Sequence, residues 1–306
     1  YGESVVMRLL MQGAENLTFD QLGLRGPAFK QLEKEITRPN GMVITSGPTG
    51  SGKTTALYAI LNKLNSPETK IITLEDPVEY QLPGINQSQV EHEEDQQESR
   101  VVTKGGQTTV KRGRQRYTYA NGLKSILRQD PDIIMVGEIR DLETAEISIQ
   151  AALTGHLLLT TIHSNDAAGV IPRFLAMGTK PFLLAPALNA IMAQRLVRRI
   201  CPKCKTEDHL DQETMAKVKK TLSEIPESSG EKPSLDNMKF YRGEGCEECG
   251  RSGFQGRIGI FEIFTMNAEI EKIILSGQVS EYEMKDVALK NGMVTMAQDG
   301  LLKALN

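Results

Sequence analysis

The chain has 306 residues, of which 39% are hydrophobic and 25% are charged, the composition of an ordinary soluble protein with about two domains. No apolar run reaches the roughly 18 residues that a membrane-spanning helix requires, which excludes an integral membrane protein. The net charge of -3 argues against a protein that coats nucleic acid.

The first segment, residues 1–38, is interpreted as a lead-in to the first complete domain. A strand-like run covers residues 5–10, and apolar residues at helical spacing predict a helix over residues 27–36. The chain begins with Tyr1 rather than with Met. We therefore expect a fragment whose first segment is the end of a truncated N-terminal domain and its linker.

A glycine-rich loop follows an apolar strand over residues 42–46 and precedes a helix that continues to Leu64. Strand, loop spacing and helix together are specific for a phosphate-binding loop. The glycines allow the backbone N–H groups to point inward, Lys53 adds positive charge, and Thr54 offers a hydroxyl to Mg²⁺. Phosphates would lie at the N-terminus of the helix. The sequence thus predicts a nucleoside triphosphate site formed by Gly47, Pro48, Thr49, Gly50, Ser51, Gly52, Lys53, Thr54 and Thr55.

Three further apolar strands are predicted within residues 70–80, 132–138 and 156–163, and a helix is predicted over residues 119–128. Apolar strands that alternate with helices are typical of a mostly parallel α/β sheet. Ligands of such sheets bind at the carboxyl ends of the strands. We therefore expect the loop and the polar residues that end these strands to lie along one edge.

Acidic residues end two of these strands. Glu138 follows an apolar strand that resembles a Walker B strand, and an acid there is costly to bury without a cation or water. The other group is Glu75, Asp76 and Glu79. One of these three can orient the water that attacks the γ-phosphate, which is most of what phosphoryl transfer to water demands of a protein. We favour Glu79 for this role.

Two histidines lie at opposite ends of the next strand. His163 follows the strand on the side of the predicted site, where it can sense the γ-phosphate or bond to a catalytic carboxylate. His156 begins the strand, and a purely structural role explains it equally well.

Residues 91–116 change from acidic to basic along the chain, and Gly105 and Gly106 separate two short alternating runs. This pattern predicts a protruding hairpin inserted in the sheet domain. It is either a solvated loop without a role or a surface that binds a partner or a neighbouring subunit.

Four cysteines form two close pairs in the last third of the chain. Two C-x-x-C pairs in a chain without a secretion signal predict a closed structural Zn²⁺ site, with a redox pair as the alternative. The predicted ligands are Cys201, Cys204, Cys246 and Cys249.

The chain after residue 38 is divided into a core over 39–200, a metal module over 201–256 and a helical region over 257–306. Within the metal module, residues 226–234 have the composition of a flexible surface link.

Taken together, the motifs at residues 47–54, 75–79, 127–141 and 154–163 resemble the Walker A, aspartate-box, Walker B and histidine-box sequences of one family. The family is that of the GspE/PulE/PilB secretion ATPases, which drive type II secretion and type IV pili. The likeness covers nearly the whole chain, and the set of motifs is very specific.

The resemblance implies a RecA-like P-loop core in a homohexameric ring, with ATP and Mg²⁺ bound between subunits and a PAS-like domain before residue 38. The match of Glu79 is the proposed water-activating acid, and the match of Glu138 lies at the magnesium. Arg8 and Arg128 match arginines that reach the nucleotide phosphates. Lys124 departs from the pattern, because an arginine is usual there and lysine lacks its bidentate geometry.

A four-cysteine zinc module is typical of assembly and secretion motors, whereas retraction motors typically lack it. The resemblance therefore implies a cytoplasmic ATPase at the inner face of the cytoplasmic membrane, which powers type IV pilus assembly through an inner-membrane platform protein. A type II secretion ATPase is the alternative. A DNA-translocating motor and a nucleotide-gated scaffold with little turnover are more distant alternatives. The negative net charge of the chain argues against a nucleic-acid partner.

Overall fold

The computed structural model describes residue 2 and residues 18–91, 101–104, 107–110 and 117–305, with the backbone alone for 101–104 and 107–110. Arg8 and the strand predicted over residues 5–10 lie outside the described residues. None of the helices in the described part of the chain is long and apolar enough to cross a membrane.

In the described part of the chain, the strands form one large sheet and two small ones. The large sheet has the order β11-β8-β1-β7-β6-β2-β3, in which every pair is parallel except β11 with β8. The predicted mostly parallel α/β fold is thereby confirmed. The strands are β1 (Gly41–Ser46), β2 (Ile71–Glu75), β3 (Asn86–Gln89), β4 (Val101–Lys104), β5 (Gln107–Val110), β6 (Ile133–Val136), β7 (Leu157–Ile162), β8 (Leu188–Ile200), β9 (Lys205–Asp208), β10 (Phe240–Gly243) and β11 (Phe254–Thr265).

Helices cover both faces of the large sheet and make up most of the C-terminal segment. The helices are α1 (Phe19–Leu22), α2 (Gly26–Ile36), α3 (Lys53–Leu64), α4 (Tyr119–Ile126), α5 (Leu142–Leu153), α6 (Val170–Ala176), α7 (Pro181–Ala187), α8 (Gln212–Ser223), α9 (Ala268–Leu275), α10 (Glu281–Lys290) and α11 (Met296–Leu305).

The central strands are buried along their whole length and mostly apolar, because both faces of the sheet are covered. β1, β2, β6 and β7 are buried at every position. Successive side chains of a strand point to opposite faces. Leu157 and Leu159 accordingly pack into the core beside α3, whereas Leu158 packs into the core beside α5 and α6. Continuous apolar runs are what a parallel sheet with two covered faces requires.

The two longest strands were not predicted. β8 lies parallel to β1, and β11 pairs with β8 in antiparallel register from Phe254 to Thr265. The predicted boundary at residue 256 therefore falls inside a strand of the main sheet, and the helices begin only at Ala268. Half of each strand extends beyond the core and carries polar residues, so their sequences lack the continuous apolar run that marks β1 and β7.

The structure differs from the prediction in one surface segment and has the predicted antiparallel pairing in another. Within residues 226–234, the chain makes a short 3₁₀ turn over Glu227–Ser229 instead of a flexible link. Ser229 is buried, and the Ser228 hydroxyl donates to the Lys290 carbonyl oxygen at 3.1 Å. In the segment predicted as a hairpin, β4 pairs with β5 in antiparallel register, Lys104 opposite Gln107.

The core on the α5 side of the sheet depends on Phe174 of α6, a fully buried side chain. Replacing Phe174 with Ala should lower the free energy of unfolding by about 3–5 kcal/mol, because it removes buried contacts and leaves a cavity. Chemical denaturation measures this loss. The matched control is Phe182→Ala, since Phe182 is 60% exposed; its effect should stay within about 0.5 kcal/mol. Equal losses in the two variants would contradict this packing.

Candidate active site and cysteine cluster

The glycine-rich loop connects β1 to α3 in the predicted manner. Gly47, Gly50 and Gly52 have φ values of 145°, 76° and 89°, a region that side-chain-bearing residues rarely adopt. A Cβ atom on Gly47 would lie 2.5 Å from the Gln194 carbonyl oxygen of β8. The loop can therefore curl only with glycine at this position, and it ends where the unpaired N–H groups of the first turn of α3 begin. Such an arrangement attracts phosphate.

Lys53 places its ammonium group inside this loop. Its Nζ atom donates to the carbonyl oxygens of Gly47 at 2.9 Å and Pro48 at 3.1 Å. Burial lowers the pKa of Lys53, and the negative charge of Glu138 opposes that shift. The two hydrogen bonds place the Lys53 side chain inside the loop, where it can contact a bound phosphate.

A polar cavity of about 600 Å³ opens in front of the loop, a volume within the usual range for small-molecule sites. Glu79, Glu138 and His163, which come from three different segments, all line it. Gly47 and Ser51 are buried behind the loop surface instead. Further residues that line the cavity include Thr49, Gly50, Gly52, Lys53, Thr54, Thr55, Glu75, Asp76, Tyr119, Arg140, Leu196 and Arg257.

Glu138 lies between two basic side chains. The guanidinium group of Arg140 pairs with its Oε1 atom, and His163 Nε2 lies 3.4 Å from its Oε2 atom. The hydrogen bond with Glu138 raises the pKa of Arg140. Thr161 of β7 donates to the Gly137 carbonyl oxygen at 2.7 Å and so ties the turn before Glu138 to the next strand. These contacts hold the carboxylate at the cavity wall.

The three acids at the carboxyl end of β2 have different surroundings. Glu75 is only 2% exposed, and its carboxylate accepts hydrogen bonds from Thr73 at 2.5 Å, from Gln87 at 3.0 Å and from the Tyr58 hydroxyl. With these neutral donors occupying it, Glu75 is poorly placed to orient water. Asp76 and Glu79 follow it in the cavity wall. The geometry is compatible with Glu79 as the acid that faces the reacting group.

Tyrosines and one arginine near these acids were not identified from the sequence. Burial raises the pKa of Tyr58, and hydrogen bonding to Glu75 raises it further. Burial, followed by the charges of Glu138 and Asp76, raises the pKa of Tyr119 in the same way. Arg140 stands two residues after Glu138, so its position in the motif was the one signal available for it. The tyrosines follow no motif, and only the tertiary structure brings them to the acids.

Three positions discussed in the sequence analysis lie away from the cavity. Arg128 is exposed on a 3₁₀ turn, Leu127–Gln129, and is not among the lining residues. Lys124 pairs with Glu143 at 2.5 Å on the outer surface. His156 Nδ1 lies 3.0 Å from the Ala151 carbonyl oxygen at the opposite end of β7, which fits a structural role. Arg8 is outside the described residues.

The four cysteines form a second site. Their Sγ atoms all lie within 4.8 Å of one another. The Sγ atoms of Cys201 and Cys246 are 3.9 Å apart, as are those of Cys204 and Cys249. The Sγ atoms of Cys246 and Cys249 are 3.7 Å apart. Four thiolates around a tetrahedral Zn²⁺ at about 2.3 Å would be separated by roughly 3.8 Å. The sulfur atoms therefore have the spacing that a tetrahedral metal requires.

Backbone N–H groups surround these sulfur atoms. The N–H of Gly245 donates to Cys204 Sγ at 3.3 Å, and the N–H groups of Cys246 and Gly253 donate to Cys249 Sγ at 3.2 and 3.3 Å. The bonds from Cys246 and Gly253 lower the pKa of Cys249, which favours the thiolate that a metal binds. Desolvation shifts the pKa of Cys204 in the opposite direction, upward. The donor set and its surroundings fit a structural metal ion.

Comparison with protein families gives a match over the whole chain: the family model for type II/IV secretion system proteins covers residues 1–306. The chain is 41% identical over 305 residues to the type IV pilus assembly ATPase PilB of Thermus thermophilus, an alignment that covers 100% of this chain and 31% of that relative. It is also 41% identical over 300 residues to the type II secretion system protein HxcR of Pseudomonas aeruginosa, covering 98% and 53%. The chain thus spans about a third to a half of these relatives.

Solved structures share the fold. The pilus retraction motor PilT with bound ADP aligns with a TM-score of 0.59 and 24% identity, over 95% of this chain and 68% of that chain. The ATPase DotB of Legionella pneumophila aligns with a TM-score of 0.59 and 20% identity, over 94% and 61%. Their likeness to this chain concerns the arrangement of strands and helices.

Proposed function

This chain belongs to the family of type II/IV secretion system proteins, and we propose that it is the ATP-hydrolysing core of a motor that powers type IV pilus assembly. One observation carries the proposal. The phosphate-binding loop with Lys53, the acids Glu79 and Glu138, and His163 all face a single polar cavity. A loop for phosphates, an acid for a metal and an acid for water are the parts that phosphoryl transfer to water requires.

In this proposal the loop and the first turn of α3 bind the phosphates of ATP. Thr54 and Glu138 offer the hydroxyl and carboxylate oxygens that Mg²⁺ prefers. Mg²⁺, when bound, neutralises charge on the β- and γ-phosphates. Arg140 and His163 hold Glu138 in place, and His163 is the candidate sensor of the γ-phosphate.

Glu79 orients the attacking water and accepts its proton as the water oxygen bonds to the γ-phosphorus. The bond between that phosphorus and the oxygen shared with the β-phosphate breaks, which yields ADP and inorganic phosphate. The enzyme contributes chiefly position and charge, because a loose phosphoryl-transfer transition state needs little covalent help.

We also assign Arg8 and Arg128 to phosphate contacts across subunit boundaries of a homohexameric ring. Arg128 is exposed and lies outside its own cavity, so its guanidinium group is available to an adjoining subunit. A guanidinium group in that position would neutralise charge that develops on the transferred phosphoryl group.

Replacing Glu138 with Gln should lower kcat by about 10²-fold or more, because charge stabilisation at the reacting phosphate is lost. Nucleotide binding should persist in that variant.

Lys53→Ala should weaken ATP binding by at least about tenfold, since it removes charge-assisted hydrogen bonds. Phosphate release and fluorescent-nucleotide titration measure the two effects. Glu146→Gln is the control, because Glu146 is exposed on α5. Wild-type turnover in both site variants would refute the assignment.

We propose Zn²⁺ as the ion of the cysteine cluster. Purified protein should contain about one zinc ion per chain by elemental analysis, and Cys249→Ser should reduce this content. Gly243→Ala should also reduce the zinc content, although it alters no ligand. Its Cβ atom would lie 2.0 Å from the Gly253 carbonyl oxygen and would force apart the backbone beside the cysteines. Gly300→Ala, whose nearest contact is 3.6 Å away, should retain the metal. A metal-free wild-type protein with normal stability would exclude a structural ion.

In the main proposal, the motor serves the machine that assembles type IV pili. In the second proposal, it serves a type II secretion machine. Equal identity to relatives from both machines supports keeping the second candidate. In either case the motor would work in the cytoplasm at the inner face of the cytoplasmic membrane. It would associate peripherally with that membrane, through an inner-membrane platform protein. No nucleic-acid partner is proposed, given the net charge of -3.

Deleting the gene in its host should separate the two candidates. Loss of surface pili with normal protein secretion is the expected result, and electron microscopy together with analysis of secreted proteins measures both. Loss of secretion with intact pili would transfer the assignment to type II secretion. Restoration by the wild-type gene, but not by a gene with Glu138→Gln, controls for effects on neighbouring genes.

A further inference from the structure

We infer that Gln87, which lies outside every motif of the predicted site, is a positioning residue for Glu79. The inference rests on the proposed hydrolysis of ATP and adds a residue that acts through another rather than on the substrate. Gln87 belongs to β3, the edge strand beside β2. It is not among the residues that line the cavity.

The side-chain amide of Gln87 joins both sides of the turn that carries Glu79. Its Nε2 atom donates to Glu75 Oε1 at 3.0 Å, before the turn, and to the Tyr80 carbonyl oxygen at 3.2 Å, after it. Its Oε1 atom accepts from the Leu82 N–H at 2.7 Å. One amide therefore fixes the end of β2 and the backbone that directly follows Glu79.

Tyr58 of α3 belongs to the same hydrogen-bond network. Its hydroxyl donates to Glu75, and its ring meets the Tyr80 ring edge-on at a centroid distance of 4.6 Å. Tyr58 is fully buried and Glu75 nearly so. Buried polar groups whose partners are all present form a rigid network, whereas loss of one partner is costly. The network therefore defines where residues 76–82 run.

Glu79 adjoins Tyr80, so a shift of the Tyr80 carbonyl group displaces Glu79 directly. The position of a water-orienting acid matters strongly, because a misplacement of about 1 Å can cost roughly 10²-fold in rate. Residues 47–55 of the phosphate-binding loop make none of these contacts, and α3 joins the network only at Tyr58, whose hydroxyl accepts from Gln87 Nε2 at 3.4 Å. Loss of the Gln87 amide should therefore affect turnover far more than nucleotide binding.

The test is Gln87→Met in the purified chain, a change that keeps the length of the side chain and removes its amide. We expect kcat to fall by about 10²-fold, with the KM for ATP changed by less than about twofold. In a Glu79→Gln background the same change should cause no further loss, because residues that act as a unit are non-additive. A residue that only stabilises the fold would give additive losses, which would overturn the inference.

Hydrogen exchange supplies a readout that does not require ATPase activity. In Gln87→Met, peptides covering residues 76–82 should exchange faster, whereas peptides covering the loop at 47–55 should be unchanged. Gln89→Met is the matched control, since Gln89 is exposed on the same strand; neither its exchange nor its kcat should differ from wild type. Unchanged exchange at 76–82 would overturn the inference. An inactive wild type would instead refute the proposed hydrolysis, and the exchange data would still decide whether Gln87 holds the turn.

Discussion

The parallel register of four central strands determines where the candidate catalytic groups of the cavity lie. Leu74 of β2 is level with Val136 of β6, Val136 with Thr160 of β7, and Thr160 with Ile44 of β1. Because the strands run in the same direction, their carboxyl ends emerge together at one edge. Residues separated by about a hundred positions in the chain thus meet there without any direct interaction between their sequences. A shift of one residue in any pair would move a polar strand end out of the cavity.

Buried charge at this edge is tolerated because each group has its own partners. Glu75 is surrounded by neutral donors, whereas Glu138 is paired with Arg140 and faces His163. A buried carboxylate without such partners would be costly. The two environments also separate two roles. Both carboxylates line the cavity, but Glu75 is fixed by its buried neutral donors, whereas Glu138 can exchange Arg140 or His163 for a metal ion or for water.

The elements that the sequence predicted well are those whose signal is local. β1, β6 and β7 are continuous apolar runs, the loop has a fixed spacing, and each C-x-x-C pair brings two thiols together by itself. Such features require no knowledge of the tertiary structure. The carboxylate of Glu75, by contrast, is bound by side chains 17 and 12 positions away, Tyr58 and Gln87. Their meeting depends on how β3 and α3 pack against β2, so neither residue could be identified in advance.

The position of the cysteine cluster follows from the same strand geometry. β8 begins beside the core strand β1, contributes Leu196 to the cavity wall, and ends one residue before Cys201. β11 begins five residues after Cys249 and carries Arg257 to the same wall. The Cys201 N–H donates to the Gly253 carbonyl oxygen at 3.0 Å, where the two strands meet. The far ends of both strands project from the core and have little apolar burial of their own. A metal ion bound by the four sulfur atoms would restrict the ends of the two strands in the way that a closed loop restricts its chain. Such an ion would therefore stabilise the two strands that carry Leu196 and Arg257 to the cavity wall.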